Sequence, residues 1–217
     1  MNNNFEYILF DLDGTLTDSG EGITKSVQYA LKSFGILVDD LKELNKFIGP
    51  PLKDSFKEYY NFDEEKAQLG LVKYREYFAE KGIYENKLYD GIPELLEVLK
   101  KNNKKIVLAT SKPEVYARQI LQYFKIDKYF DFAAGADFEE TRVNKGDVIK
   151  YALQEANITD LSKVIMVGDR EHDIIGAKEN NIKSVGVLYG FGDVIELTQA
   201  RAEYIVKDTE ELLNILL

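Results

Sequence analysis

Apolar residues follow two rhythms along this chain. From about Pro93 onward, short unbroken apolar runs alternate with stretches in which apolar residues recur every three or four positions. The runs "KIVLAT", "FDFAAGA", "KVIMVGD", "SVGVLYG" and "YIV" predict strands, the first four each closing on a small or polar residue. Between them, Ala117, Ile120, Leu121 and Phe124 share one helical face, as do Val148, Ile149, Ala152, Leu153 and Ala156. Strands alternating with such helices predict an α/β fold, a Rossmann-like doubly wound parallel sheet linked by right-handed crossovers. A further strand stands at the start, where Tyr7 to Phe10 form a continuous apolar run.

The region from Leu16 to about Leu88 shows the helical rhythm alone. Ile23, Val27, Ala30, Leu31 and Phe34 mark a helix ended by Gly35, and "EEKAQLGLVKYREYFAEKG" marks another. Between them "FIGPPL" reads as a two-proline turn. The expected division is therefore a sheet-bearing core of residues 1–16 and 89–217, interrupted by a helical insertion over 17–88.

Composition narrows the chemistry. The 38 acidic and 28 basic residues give a formal charge of −10, with no Lys/Arg block to track a nucleic-acid backbone. No apolar run approaches the ~18 residues of a membrane span, and "MNNNFEY" lacks the basic flank and apolar core of a signal peptide, so a cytoplasmic protein is expected. With no cysteine there is no disulfide, thiolate metal site or cysteine nucleophile. The single histidine, His172, removes multi-histidine metal cages, which leaves hard oxygen ligands and magnesium as the natural metal chemistry. No GxGxxG follows the first strand, which argues against a dinucleotide enzyme.

Polar groups gather where strands end. In "YILFDLDGTLTDS" the first strand stops at Asp11 and Asp13, and Asp13-Gly14 reads as the turn that ends it. Open α/β sheets bind ligands at this edge. Thr110 and Ser111 follow "IVLA", Lys145 stands before "GDVIKYAL", and "VIMVGDREHD" supplies Asp169 and Asp173. Singly, each has a plain structural explanation. Thr110 suits a helix N-cap before "SKP", Lys145 a solvated surface position, and Asp169 and Asp173 the acidic first turn of a helix.

Taken in order, DxDGT, a Thr/Ser after an apolar strand, a Lys and GDxxxD resemble the four-part signature of the haloacid dehalogenase-like hydrolases across essentially the whole chain. The resemblance implies an enzyme of phosphoryl transfer. Asp11 would be the nucleophile that forms an aspartyl-phosphate, and Asp13 its acid/base partner. The second aspartate is replaced in the dehalogenases and phosphonate-cleaving relatives, so its presence resembles the phosphatases and phosphomutases. Thr110 and Lys145 would complete the catalytic set, with Ser111 beside them on the substrate phosphate. Mg²⁺ would be held by Asp11, the backbone carbonyl of Asp13 and Asp169, with Asp173 holding its waters or Lys145.

The insertion resembles a small cap of the C1 type, in which Gly49, Pro50 and Pro51 either line the leaving-group pocket or form a plain inter-helix turn. Lys25 and Lys53 are candidate substrate cations there, and Tyr29, Tyr59 and Tyr60 either stack on a base or pack. Arg170 replaces the small hydroxyl residue usual after the aspartate of the last motif. It reads as a salt bridge to Glu171 or a neighbour more readily than as a phosphate contact, and His172 reads as a packing residue. "GITKSVQYALKSFG", "ETRVNKGDVIKYAL" and "VGDREHDIIGAK" resemble the phosphoglycolate phosphatase-like branch and its bacterial 5'-nucleotidases. A small phosphorylated metabolite, a nucleoside 5'-monophosphate, is the implied substrate. A phosphoglycolate phosphatase, a sugar phosphomutase and a non-catalytic interaction protein are the alternatives.

Overall fold

The computed structural model describes residues 4–138 and 142–217, so Glu140 and Thr141 of "ETRVNKGDVIKYAL" lie outside the described residues. In chain order the elements are β1 (Tyr7–Phe10), β2 (Thr17–Asp18), α1 (Gly20–Ser33), α2 (Leu52–Tyr60), α3 (Glu64–Tyr77), β3 (Lys87–Leu88), α4 (Ile92–Lys101) and β4 (Lys105–Pro113). There follow α5 (Glu114–Tyr123), β5 (Phe132–Ala136), α6 (Lys145–Glu155), β6 (Val164–Gly168), α7 (Glu171–Glu179), β7 (Lys183–Val187), α8 (Val194–Ala200), β8 (Tyr204–Val206) and α9 (Thr209–Leu216). Two compact units result, Leu88–Leu217 with the N-terminal segment through Thr17, and Asp18–Lys87.

The first unit is built on a six-stranded sheet in the order β5-β4-β1-β6-β7-β8, with every adjacent pair parallel. This is the Rossmann-like doubly wound arrangement: the chain runs outward from β1 on one side, returns, and runs outward on the other. β1 is central because its residues are apolar toward both faces. Leu9 packs with Val107, Met166, Val148, Ile149 and Ala152 on one face, while Ile8 and Phe10 are equally inaccessible to water. A parallel strand buried on both sides needs such a run. The order also makes the ends of β1, β4 and β6 neighbours, with Phe10 in register with Leu108 and Val167.

β4 departs from expectation. Its strand does not stop at Thr110 but continues to Pro113 with a register shift between Thr110 and Pro113, and α5 begins only at Glu114. Thr110 is therefore not a helix N-cap. Pro113 cannot donate to a ladder, so extension ends there and the helix starts after it. The strand of "FDFAAGA" begins at Phe132, two residues later than the apolar run.

The second unit is helical, with two features the periodicity hides. A 3₁₀ segment, Leu41–Phe47, precedes the two-proline turn, and α3 runs into a π-helical turn, Phe78–Gly82. Its core includes Phe47 and Phe56, edge to face at 5.1 Å, and Phe56 stacked on Phe62 at 5.6 Å. Chain entry and exit are tied by β2 and β3, which pair with one another.

Candidate active site

The acidic positions at the strand ends converge. Asp11 leaves β1 directly, its N–H donating to the Val167 carbonyl at 2.9 Å, and the residue is 6% exposed. Asp169 follows β6 at 0% exposure, and Asp173 lies in the first turn of α7 at 1%. Oxygens of Asp11, Asp169 and Asp173 lie within 4.8 Å of one another. Two glycines make this approach possible. Gly14 turns the chain with φ +84, and a Cβ there would run into the Asp169 carboxylate; a Cβ on Gly168 would run into Asp173.

Lys145 is buried rather than solvated. Its ammonium lies 2.7 Å from Asp11 Oδ1 and 2.8 Å from Asp173 Oδ1, and donates to the Ala109 carbonyl at 3.1 Å. Burial opposes its charge, yet Asp11 and Asp173 outweigh burial and hold its pKa above the ordinary lysine value. Asp169 is pushed well above the usual carboxylate range, by burial first and then by Asp173 and Asp11. Its Oδ2 accepts from the Phe191 N–H at 2.8 Å and its Oδ1 from the Thr15 hydroxyl at 3.4 Å. Asp173 is raised by burial against the opposing pull of Lys145, and its Oδ2 caps α7 by accepting from the Arg170 N–H at 3.1 Å.

Thr110 is 1% exposed at the strand-end edge of β4, its hydroxyl accepting from the Lys112 N–H at 3.3 Å, and Ser111 beside it is half-buried. Asp13 does not join the carboxylate cluster through its side chain. Its Oδ2 is 2.9 Å from Lys112 Nζ, a contact with side-chain exposures of 12% and 5%. Lys112 is the residue that sequence reasoning missed. "SKP" reads as a helix entry, and the signal that could have found it is a lysine directly after the Thr-Ser pair, on the edge where the aspartates gather.

Arg170 forms its salt bridge with Glu196, 2.8 Å from Nε to Oε1, rather than with Glu171. His172 is half-buried, and burial lowers its pKa. Gly49 and Pro50 belong to the second unit, in the turn before α2, where Gly49 holds φ +107. Within that unit Lys25 pairs with Glu21 and Glu85, Lys53 with Glu64, Tyr29 packs on Tyr77, and Tyr59 and Tyr60 on Phe47.

The donor set fits a hard divalent cation. Among the described residues Asp11, Asp169 and Asp173 bring carboxylate oxygens together, the donor type such an ion takes. Asp11, Asp169 and the carboxylate of Asp173 are the groups placed to share such an ion, and the elevated Asp169 pKa is what a cation site loses once the ion is present.

A family model described as haloacid dehalogenase-like hydrolase matches residues 8–187. The chain belongs to that family. Among haloacid dehalogenase-like hydrolases, a 5'-nucleotidase of Pseudomonas aeruginosa is 44% identical over 209 residues, 96% of this chain and 94% of that protein. The tyrosine-protein kinase PtkA of Mycobacterium tuberculosis is 37% identical over 89% of this chain and 66% of its own length. The crystal structure of a predicted phosphatase from Clostridium acetobutylicum superposes with a TM-score of 0.95 at 55% identity, over 97% of each chain. The protein is thus a haloacid dehalogenase-like enzyme of the phosphatase kind, and Asp11 and Asp13 follow directly on β1.

Proposed function

We propose that the protein hydrolyses small phosphate monoesters with Mg²⁺, through an aspartyl-phosphate on Asp11, and that nucleoside 5'-monophosphates are the substrate class. The observation that carries the mechanism is the pair at the end of β1: a buried Asp11 held against Lys145 and, two residues on, an Asp13 whose Oδ1 is buried with no hydrogen-bond partner among the described residues. One carboxylate is placed to attack, the other to move a proton. The substrate class is supported by the likeness to the Pseudomonas nucleotidase over nearly the full chain.

In this reading Lys145 and the Thr110 hydroxyl receive the phosphoryl oxygens, with Ser111 beside them. Asp11 attacks phosphorus, and Asp13 gives the leaving oxygen a proton and recovers one from the incoming water. Asp11, the Asp13 backbone carbonyl and Asp169 would hold Mg²⁺, which when bound would supply the positive charge that lets a carboxylate approach a phosphate dianion. Asp173 keeps Lys145 in place and faces the water shell of the ion. The helical unit, 18–87, acts as the C1-type cap that selects the leaving group, with Gly49 and Pro50 contacting it. The partner is a small metabolite of the cytoplasm; neither a nucleic-acid polymer nor a membrane enters the reaction. Among the described residues no helix is long and apolar enough to cross a membrane.

The test is phosphate release from a panel of nucleoside 5'-monophosphates, phosphoglycolate, sugar phosphates and p-nitrophenyl phosphate, with Mg²⁺ and with chelator. The expected result is Mg²⁺-dependent release that favours nucleotides. Preference for phosphoglycolate keeps the mechanism and replaces the substrate. No release from any ester, or isomerisation of a sugar phosphate without release, overturns the hydrolytic reading.

A further inference from the structure

Lys112 sits against the residue that, in the reading above, moves the proton. Its ammonium approaches Asp13 Oδ2 at 2.9 Å with its side chain 5% exposed, while Asp13 Oδ1 is buried and meets no hydrogen-bond donor among the described residues. The irregular end of β4 puts it there. After the register shift the chain stays extended to Pro113, the Lys112 N–H donates to the Thr110 hydroxyl, and a Cβ on Gly135 of the neighbouring strand would press on the Lys112 carbonyl. A plain helix entry at "SKP" would have no need to bury an amine.

We propose that Lys112 is a positioning residue that determines which oxygen of Asp13 carries the proton to the leaving group. The proposal rests on Asp13 being the acid/base. A carboxyl group has two equivalent oxygens and a broad, nearly two-fold terminal torsion, so by itself it does not present its proton in one direction. An ammonium has three donors and no acceptor. Where Lys112 donates to Oδ2, that oxygen is the acceptor, and the proton of the acid form resides on Oδ1, the oxygen that the protein leaves unpartnered.

In the first half-reaction an Asp11 oxygen bonds to phosphorus, the bond from phosphorus to the ester oxygen breaks, and the Oδ1 proton passes to that oxygen to give the alcohol. Asp13 is left as a carboxylate beside the Lys112 ammonium. In the second, water bonds to phosphorus as Oδ1 takes one of its protons, the bond from phosphorus to Asp11 breaks, and inorganic phosphate leaves. Lys112 gains and loses nothing in either half.

A lysine that merely tied the end of β4 to the β1 loop would serve every ester equally, whereas one that directs the leaving-group proton matters only where the leaving oxygen needs it. The experiment compares kcat/KM, which reports steps through departure of the leaving group, for p-nitrophenyl phosphate and for a nucleoside 5'-monophosphate. Positioned general acids contribute about 10²- to 10⁴-fold. Lys112→Met is expected to lose on the order of 10²-fold on the nucleotide and less than about fivefold on the aryl ester, whose phenolate departs unprotonated. If that variant does not fold by circular dichroism, Lys112→Gln, which fills a similar volume without charge, is expected to show the same split, at least about tenfold. Asp13→Asn serves as the reference. If Asp13→Asn splits the two esters and neither lysine variant does, the role given to Lys112 is overturned and that of Asp13 stands. If Asp13→Asn does not split them, the acid/base reading itself falls, and Lys112 with it.

Discussion

Lys145 holds its charge among Asp11 Oδ1, Asp173 Oδ1 and the Ala109 carbonyl, three acceptors arranged around one compact ammonium at a buried position. Taking away one partner of a buried ionic group leaves the others uncompensated, at a cost of about 3–5 kcal/mol. Lys145→Met is therefore expected to lower the unfolding free energy by that amount in chelator, read as a lower urea midpoint, and Lys145→Arg to recover little of it, because a planar fork does not match three acceptors set for a point charge. Equal midpoints for wild type and Lys145→Met would refute this account. At this scale the sequence was legible where a side chain's position follows from the backbone alone. Asp11 and Asp169 come straight off buried strands, so their place on the edge can be read from the apolar runs before them. Lys112 was harder to read: its place after the Thr-Ser pair is visible, but its inward direction depends on a shift in register against β5.

Elements show the same division. α1 was legible because its apolar residues keep the 3.6 period on one buried face, Ile23, Val27, Ala30 and Leu31. The π-helical turn Phe78–Gly82 was not, since one extra residue per turn breaks the period and reads as a continuation of α3. That turn has a packing role. Gly22 of α1 donates its N–H to the Glu85 carbonyl at 3.0 Å, and a Cβ on Gly22 would collide with the Gly82 carbonyl. The obstacle is backbone, which cannot rotate aside as a side chain does. Gly22→Ala is expected to destabilise the protein by about 1–3 kcal/mol despite its better helix propensity. Denaturant titration is the measurement, and a stabilised variant would show that the two segments separate freely.

For the whole molecule, the buried carboxylates link stability to pH and to metal. The folded-state pKa of Asp169 lies above its unfolded value, so the native state binds the extra proton. Its contribution to stability is present in full below the ordinary carboxylate pKa and is lost as pH rises from there toward the raised value. A divalent cation among Asp11, Asp169 and Asp173 takes the place of that proton and favours the ionised form. The rise in Tm on adding Mg²⁺ is therefore expected to be larger at about pH 8 than at about pH 5.5. Thermal melts with Mg²⁺ or chelator at both pH values decide it, and a shift independent of pH would contradict the assignment of the site.

The strand order has a consequence for how the chain is made. Ile8 pairs with Ile106 on one side and Ile165 on the other, so β1 leaves the ribosome long before either neighbour exists. Until then its apolar run is exposed at both unpaired edges, while the intervening segment, 18–87, is complete and holds its own compact contacts. Parallel pairing across such separations is slow and leaves intermediates prone to association. The strand that leads into Asp11 is thus synthesised well before the two neighbours that enclose it, and the centre of the finished enzyme waits, during biogenesis, on the chain that follows it.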